Sequence, residues 1–174
     1  MVLAHEGLLD RGEKGGYFVP HYDADRLAQL QAVREIFEHG ALRQLERDPP
    51  DAEALGWLDA VCDQMARLID EKYVMGFVEA DRRFHLQLVE LAGNPQLLRV
   101  YHSAPLPLMP PAEIDAEPFR QQQRGTLANP RSIVERLREA DYAAARSRLS
   151  EHLIRHHRDT GPHHEAPPAR RRLS

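Results

Sequence analysis

Cysteine, aromatic residues and long apolar runs are all scarce in this sequence, and each scarcity excludes a class of protein. Cys62 is the single cysteine, so no disulfide forms within the chain, which fits a reducing, cytoplasmic compartment. No apolar run approaches the ~20 residues that cross a bilayer as a helix. The first residues, Met1 to Glu6, lack the basic n-region and apolar h-region of a secretory leader. Charge of one sign is lacking too. The 23 Lys and Arg stand against 27 Asp and Glu, a net charge of −4, which argues against a surface that is a nucleic-acid footprint throughout. Aromatic residues make up 6% of the 174, yet 42% are hydrophobic, enough for one core, since a chain of this size buries roughly 68–70% of its unfolded surface.

Composition divides the chain into three parts. Residues 1–22 are rich in glycine and end in a short β-branched and aromatic run. Residues 23–158 are patterned for helices throughout, and no segment among them alternates with period two. Residues 159–174 hold proline, charge and almost nothing apolar, so a disordered tail is expected there.

The central part reads as helices separated by stop signals. Asp23 is the expected N-cap of a helix to about Glu46, with Leu27, Leu30, Val33, Phe37, Ala41 and Leu45 as its apolar stripe. Asp48-Pro49-Pro50 ends it, because proline cannot continue a helix and restricts the residue before it. Asp51 caps a second helix with Leu55, Leu58, Val61, Met65 and Leu68 inward. A third carries Phe77, Phe84, Leu88 and Leu91 and stops at Gly93-Asn94-Pro95. Pro95 then opens a shorter helix through Leu97, Leu98 and Tyr101. Five prolines between Pro105 and Pro118 predict a loop, followed by a short helix at Phe119 to Arg124. Asn129-Pro130 starts a helix with Ile133, Val134 and Leu137 inward, and Asp141 caps the last, with Ala145, Leu149, Leu153 and His156 on its inner stripe. The expected fold is an all-α bundle of six or seven helices.

Polar residues interrupt this pattern in two places. On the third helix Asp81 and His85 fall among Phe77, Phe84 and Leu88, four residues apart and so on one face. On the last helix His152 lies at the edge of the stripe, three residues beyond Leu149. A buried carboxylate needs a cation, a metal or hydrogen-bond donors. Two readings stay open: a local Asp81–His85 pair with His152 satisfied in the core, or three ligands converging on a divalent metal with positions left for water or a ligand. Arg34, one position off the first helix's stripe and four before Glu38, is either half of a surface ion pair or a donor that clamps an acid ligand. Cys62 reads as a core residue, His163 and His164 as part of a solvated tail, and Arg170-Arg171-Arg172 as solubilising.

The string Asp81-Arg82-Arg83-Phe84-His85, followed by Ala92-Gly93-Asn94-Pro95, resembles the D-x-x-F-H and GN-P signature of the FCD domain. That is the effector-binding domain of FadR-subfamily GntR transcription regulators. Leu30 to Glu38 resembles the family's opening helix, and Ile133 to Asp141 with His152 resembles its closing pair, so the likeness covers 23–157. It implies an antiparallel all-α bundle, a homodimer, and a central site for a small organic acid. In many members that site holds a divalent metal such as zinc, nickel, manganese or iron. The implied metal ligands are Asp81, His85 and His152, with Arg34 and Asn94 as contacts of the acid. The family's further histidine, at the start of the penultimate helix, is replaced here by Pro130, which narrows the expectation to a three-ligand site or no metal, with His102 and His156 as candidate substitutes.

Residues 1–22 resemble the end of a winged-helix module: the last turn of a recognition helix at Leu3 to Leu9, then a wing hairpin over Arg11 to Val19, with Arg11, Lys14 and Gly15 as remnants of a DNA-contacting surface. Without the rest of the helix-turn-helix no recognition helix can be placed in a groove, so operator binding is expected only of a full-length protein. The resemblance implies a sensor and not an enzyme. A metal-dependent hydrolase or lyase on the same three residues, and a ligand-free dimerisation or decoy protein, are the alternatives.

Overall fold

The computed structural model describes residues 10–11, 17–18, 24–104 and 130–158, and among them it is a helical bundle. Expectations for Lys14, Gly15, Asp23, Asn129, the proline-rich stretch, the short helix at 119–124 and the tail fall outside the described residues. Two short strands, β1 (Asp10–Arg11) and β2 (Tyr17–Phe18), pair antiparallel, with Asp10 opposite Phe18 and Arg11 opposite Tyr17.

Each helix begins and ends on local chemistry. Helix α1 (Ala24–Arg47) stops where Asp48-Pro49-Pro50 removes the next backbone donors. Helix α2 (Ala52–Asp70) starts at Asp51, whose Oδ1 accepts from the Ala54 amide at 2.8 Å. It closes with a Schellman pair: the Tyr73 amide donates to the Leu68 carbonyl at 2.9 Å and the Lys72 amide to Ile69 at 3.0 Å. That closure puts Lys72 at φ 59°, in the left-handed region. Helix α3 (Val74–Leu91) ends at Gly93, whose φ of 64° is one glycine adopts freely. Asn94 then caps α4 (Pro95–Ser103), its side-chain oxygen accepting from the Gln96 and Leu97 amides at 3.1 Å each. Helix α5 (130–138) ends in a second Schellman pair, with Ala140 at φ 55°. Asp141 caps α6 (Tyr142–Arg158), accepting from the Ala144 amide at 3.0 Å.

Helix α3 is central: it packs on α2, α1 and α4, while α6 lies along α1. The core joins Leu42 and Leu45 of α1, Leu58, Cys62 and Met65 of α2, Phe77, Phe84 and Leu88 of α3, Ile133 and Val134 of α5, and Leu149 and Leu153 of α6. The inward stripes expected for α2, α3 and α5 are observed, with Leu68 and Leu91 at their ends only partly buried, as are Ala145, Leu149 and Leu153 on α6. At the rim, Arg131–Asp63 joins α5 to α2 and Arg146–Glu46 joins α6 to α1, both at 2.7 Å. Exposed pairs of this kind are worth at most about 1 kcal/mol each.

Helix α1 keeps part of the expected stripe: Ala41 and Leu45 are buried, and Phe37 is partly buried against Ala41, Val89 and Tyr101. Val33 departs from it at 37% exposed, and Arg34 and Glu38, which apolar periodicity leaves out, are buried beside it. They are buried because the neighbours that meet this part of α1 are themselves polar.

Candidate metal and ligand site

The polar end of α1 faces the two places where the apolar pattern of α3 and α6 breaks. Asp81 and His85 on α3 and His152 on α6 are 7%, 0% and 0% exposed, and they meet at one point. His85 Nε2 lies 2.9 Å from His152 Nε2, and Asp81 Oδ1 lies 3.4 Å from His152 Nε2 and 3.7 Å from His85 Nε2. The two imidazole planes are inclined by only 17°, and the rings meet edge to edge through these nitrogens, with centroids 4.9 Å apart. Asp81 is thus not confined to a local pair with His85, because it also approaches His152 on α6.

Behind this triangle lies a second polar layer. Glu38, wholly buried, brings Oε2 to 2.6 Å from His85 Nδ1. Its Oε1 accepts from Arg34 Nε at 2.7 Å and from the Tyr101 hydroxyl at 2.8 Å. The Arg34–Glu38 pair is buried, with side-chain exposures of 8% and 0%, so it is not the surface ion pair that was one of the two readings of Arg34. Tyr101 is held edge-on by Phe37, ring centroids 6.3 Å apart.

The charges follow from these neighbours. Burial opposes ionisation of Glu38 most strongly, but His85 and Arg34 override it and hold the carboxyl down at about 2. Burial likewise opposes the charge on Arg34, and Glu38, Tyr101 and Asp81 outweigh it, so its pKa is raised. For His85, burial and Arg34 disfavour the imidazolium, and Glu38 and Asp81 together raise its pKa nonetheless. Burial lowers the pKa of His152, with His85 and Arg34 acting in the same direction against Asp81. A neutral imidazole offers a lone pair.

The donor set suits a divalent ion. Two imidazole nitrogens and a carboxylate oxygen are ligands for zinc and its first-row neighbours. For metal–ligand bonds of about 2.1 Å, adjacent ligands lie about 3.0 Å apart around an octahedron and about 3.4 Å apart around a tetrahedron. The observed edges, 2.9, 3.4 and 3.7 Å, bracket both, and a circle through the three atoms has a radius of about 2.0 Å. One ion can therefore reach all three atoms with little movement. Two nitrogens at 2.9 Å also need a proton or a metal between them, since facing lone pairs repel.

Residues 29–155 match the family model of the FCD domain. The chain belongs to the FCD domain family. Several solved structures share the fold. E. coli McbR/YncC is 16% identical with a TM-score of 0.74, over 88% of this chain and 77% of that one. Lar, which controls expression of the Listeria monocytogenes agr system, is 22% identical with a TM-score of 0.70, over 91% and 74%. A GntR transcriptional regulator from Rhodococcus sp. RHA1 is 18% identical with a TM-score of 0.70, over 90% and 74%. At these identities the likeness is one of fold. No curated protein matches the chain.

Within this FCD domain the remaining candidate residues fall in different places. Asn94 spends its side-chain oxygen on the cap of α4 and is not one of the residues that converge on the triangle. His102 is exposed on α4 and stands outside the cluster, so it supplies no substitute ligand. Pro130 is buried in the first turn of α5, where its missing amide costs nothing. The side chains of Arg11 and His156 are outside what the structure describes.

Glu38 and Tyr101 are the polar groups that sequence reasoning did not place in the site. Glu38 was legible in one respect: it sits three residues before Ala41 and seven before Leu45, in register with two inward positions. Phe37, next to it, drew the apolar stripe instead. Tyr101 carried no such signal, because its hydroxyl meets Glu38 across 63 residues of sequence.

Proposed function

We propose that this FCD domain is the effector-sensing and dimerisation part of a GntR/FadR-type transcription regulator. In this reading Asp81, His85 and His152 hold a divalent metal, and the metal supplies a positive centre that takes an oxygen of a small carboxylate. Arg34, whose Nε donates to Glu38, adds a fixed positive charge beside the site. The single observation that carries the reading is the buried triangle of Asp81 Oδ1, His85 Nε2 and His152 Nε2. A hydrocarbon-filled core would have put leucines there.

A ligand alters a regulator only by binding two conformations of the bundle unequally. The site joins α3 to α6 directly and to α1 and α4 through Glu38, so an occupant bears on four helices at once. In a regulator of this type that change reaches the paired DNA-binding domains.

The test is a thermal-shift matrix of small mono-, di- and hydroxycarboxylates, each with and without Zn²⁺, Ni²⁺ or Mn²⁺. The expected result is stabilisation by one metal, increased by one class of acid, because a ligand specific to the folded state raises stability by mass action. The same acids and their esters are followed for turnover. Conversion of any of them would replace the sensor reading with the hydrolase or lyase one. No stabilisation by any metal or acid would leave a ligand-free dimerisation protein.

A further inference from the structure

We propose that Glu38 is the positioning residue of the site: it holds His85 in the tautomer whose Nε2 lone pair points at Asp81 and His152. The proposal deepens the metal-site reading, but its first observable does not depend on a metal being bound. A neutral imidazole carries one proton, and the nitrogen that lacks it is the one that can ligate. With Nδ1 2.6 Å from Glu38 Oε2, Nδ1 keeps the proton, because a carboxylate is a pure acceptor. Nε2, 2.9 Å from His152 Nε2 and 3.7 Å from Asp81 Oδ1, is left to offer its lone pair.

What separates Glu38 from an ordinary buried ion-pair partner is the division between its two oxygens. Oε1 takes both outside donors, Arg34 Nε at 2.7 Å and the Tyr101 hydroxyl at 2.8 Å. Oε2 is thereby reserved for His85. The three donors come from α1, α4 and α3, so the carboxylate cannot rotate without breaking contacts to three helices. Arg34 four residues earlier on the same helix fixes its direction, and Tyr101, braced by Phe37, closes it from α4. A group needed only to neutralise Arg34 would be satisfied by that contact alone.

The experiment pairs Glu38→Gln with Tyr101→Phe in the full chain. Gln keeps the shape but is a weaker acceptor, and its amide opposes the Arg34 and Tyr101 donors. Phe leaves the carboxylate and removes one of the bonds that aim it. Long-range ¹H–¹⁵N spectra of the metal-free protein at mildly alkaline pH report the tautomer, and competition with a chromophoric chelator reports Zn²⁺ affinity. Wild-type His85 is expected to carry its proton on Nδ1, and Glu38→Gln to shift population to the Nε2–H form. Zn²⁺ affinity should fall about 10–100-fold in Glu38→Gln, the usual effect of losing an outer-shell partner, and by less in Tyr101→Phe. A neutral wild-type His85 with its proton on Nε2 overturns the proposal. So does a folded Glu38→Gln that binds Zn²⁺ within twofold of wild type. If Glu38→Gln does not fold, the wild-type tautomer and Tyr101→Phe decide. If wild type binds no metal, the metal reading fails, and the tautomer measurement still judges Glu38.

Discussion

Nε2 of His85 and Nε2 of His152 approach to 2.9 Å across the interface of α3 and α6, the separation of two ligands on a common ion. The contact joins residues 67 positions apart in sequence, and its geometry makes the two imidazoles act as a unit. His85→Ala and His152→Ala should each, alone, abolish metal-dependent stabilisation, and the double variant should behave like either single one. For wild type, metal at a hundredfold excess over Kd adds about 2.7 kcal/mol, roughly 5–10 °C in Tm for a domain of this size. Scanning calorimetry with and without chelator checks this. Retention of the metal-dependent shift in either alanine variant would exclude that histidine as a ligand.

The buried pair of Arg34 and Glu38 leads to a test on stability. Arg34→Ala takes from the buried carboxylate one of the two cations, His85 and Arg34, that hold it ionised, and Glu38→Ala leaves a buried guanidinium, so each should cost about 3–5 kcal/mol. Replacing both, as in Arg34→Met with Glu38→Leu, removes both desolvation costs while the His85 and Tyr101 donors lose their acceptor, so it should cost less than the sum of the two single changes. Urea unfolding of the metal-free protein measures all three. Singles that are additive in the double variant would show the pair to be uncoupled.

Cys62 provides a pH-dependent prediction. Burial, the dominant effect, and the neighbouring Asp59, Asp63 and Asp81 outweigh Arg131 and push its thiol up to about 12. The folded state holds the proton more tightly than the unfolded one, so this stability is intact below the thiol's ordinary value of 9.0 and is lost as pH rises from there towards about 12. Ellman's reagent at neutral to mildly alkaline pH should therefore label Cys62 only on unfolding. Rapid labelling of the native protein would contradict its burial.

Two non-glycine residues among those described lie in the left-handed region, Lys72 at φ 59° and Ala140 at φ 55°, and they close α2 and α5. An L-residue in this conformation carries a penalty of roughly 1–2 kcal/mol, partly offset in a glycine variant by the entropy of its unfolded chain. Ala140→Gly and Lys72→Gly should each stabilise the domain by about 0.5–1 kcal/mol, seen as a raised urea midpoint with unchanged slope. A lowered midpoint would mean that the side chain does more than the backbone geometry implies.

Most of the helix boundaries were legible because their causes are local. Asp51, Asn94 and Asp141 cap through side chains within three residues of the amides they satisfy, and Gly93 and Pro49-Pro50 stop helices by backbone constraints. The stops at Lys72 and Ala140 were not legible in this way, since neither residue type favours the conformation it adopts. On α1 hydropathy placed Phe37, Ala41 and Leu45 inward correctly, but it also pointed to Val33, which is exposed, and passed over Arg34 and Glu38, which the packing turns inward.

The residues by themselves determined a helical bundle, the order of its elements, and the fact that Asp81 and His85 share one helix face, because these depend on periodicity and on contacts a few residues long. Only the tertiary structure decided that His152 arrives at that face, that Arg34 and Glu38 are buried, and that the Tyr101 hydroxyl completes their layer. Those contacts span 47 to 67 residues between Glu38, His85, Tyr101 and His152. Their physical basis is mutual: each buried polar group is tolerable only because the others supply its hydrogen bonds and countercharge, and no single helix carries that information.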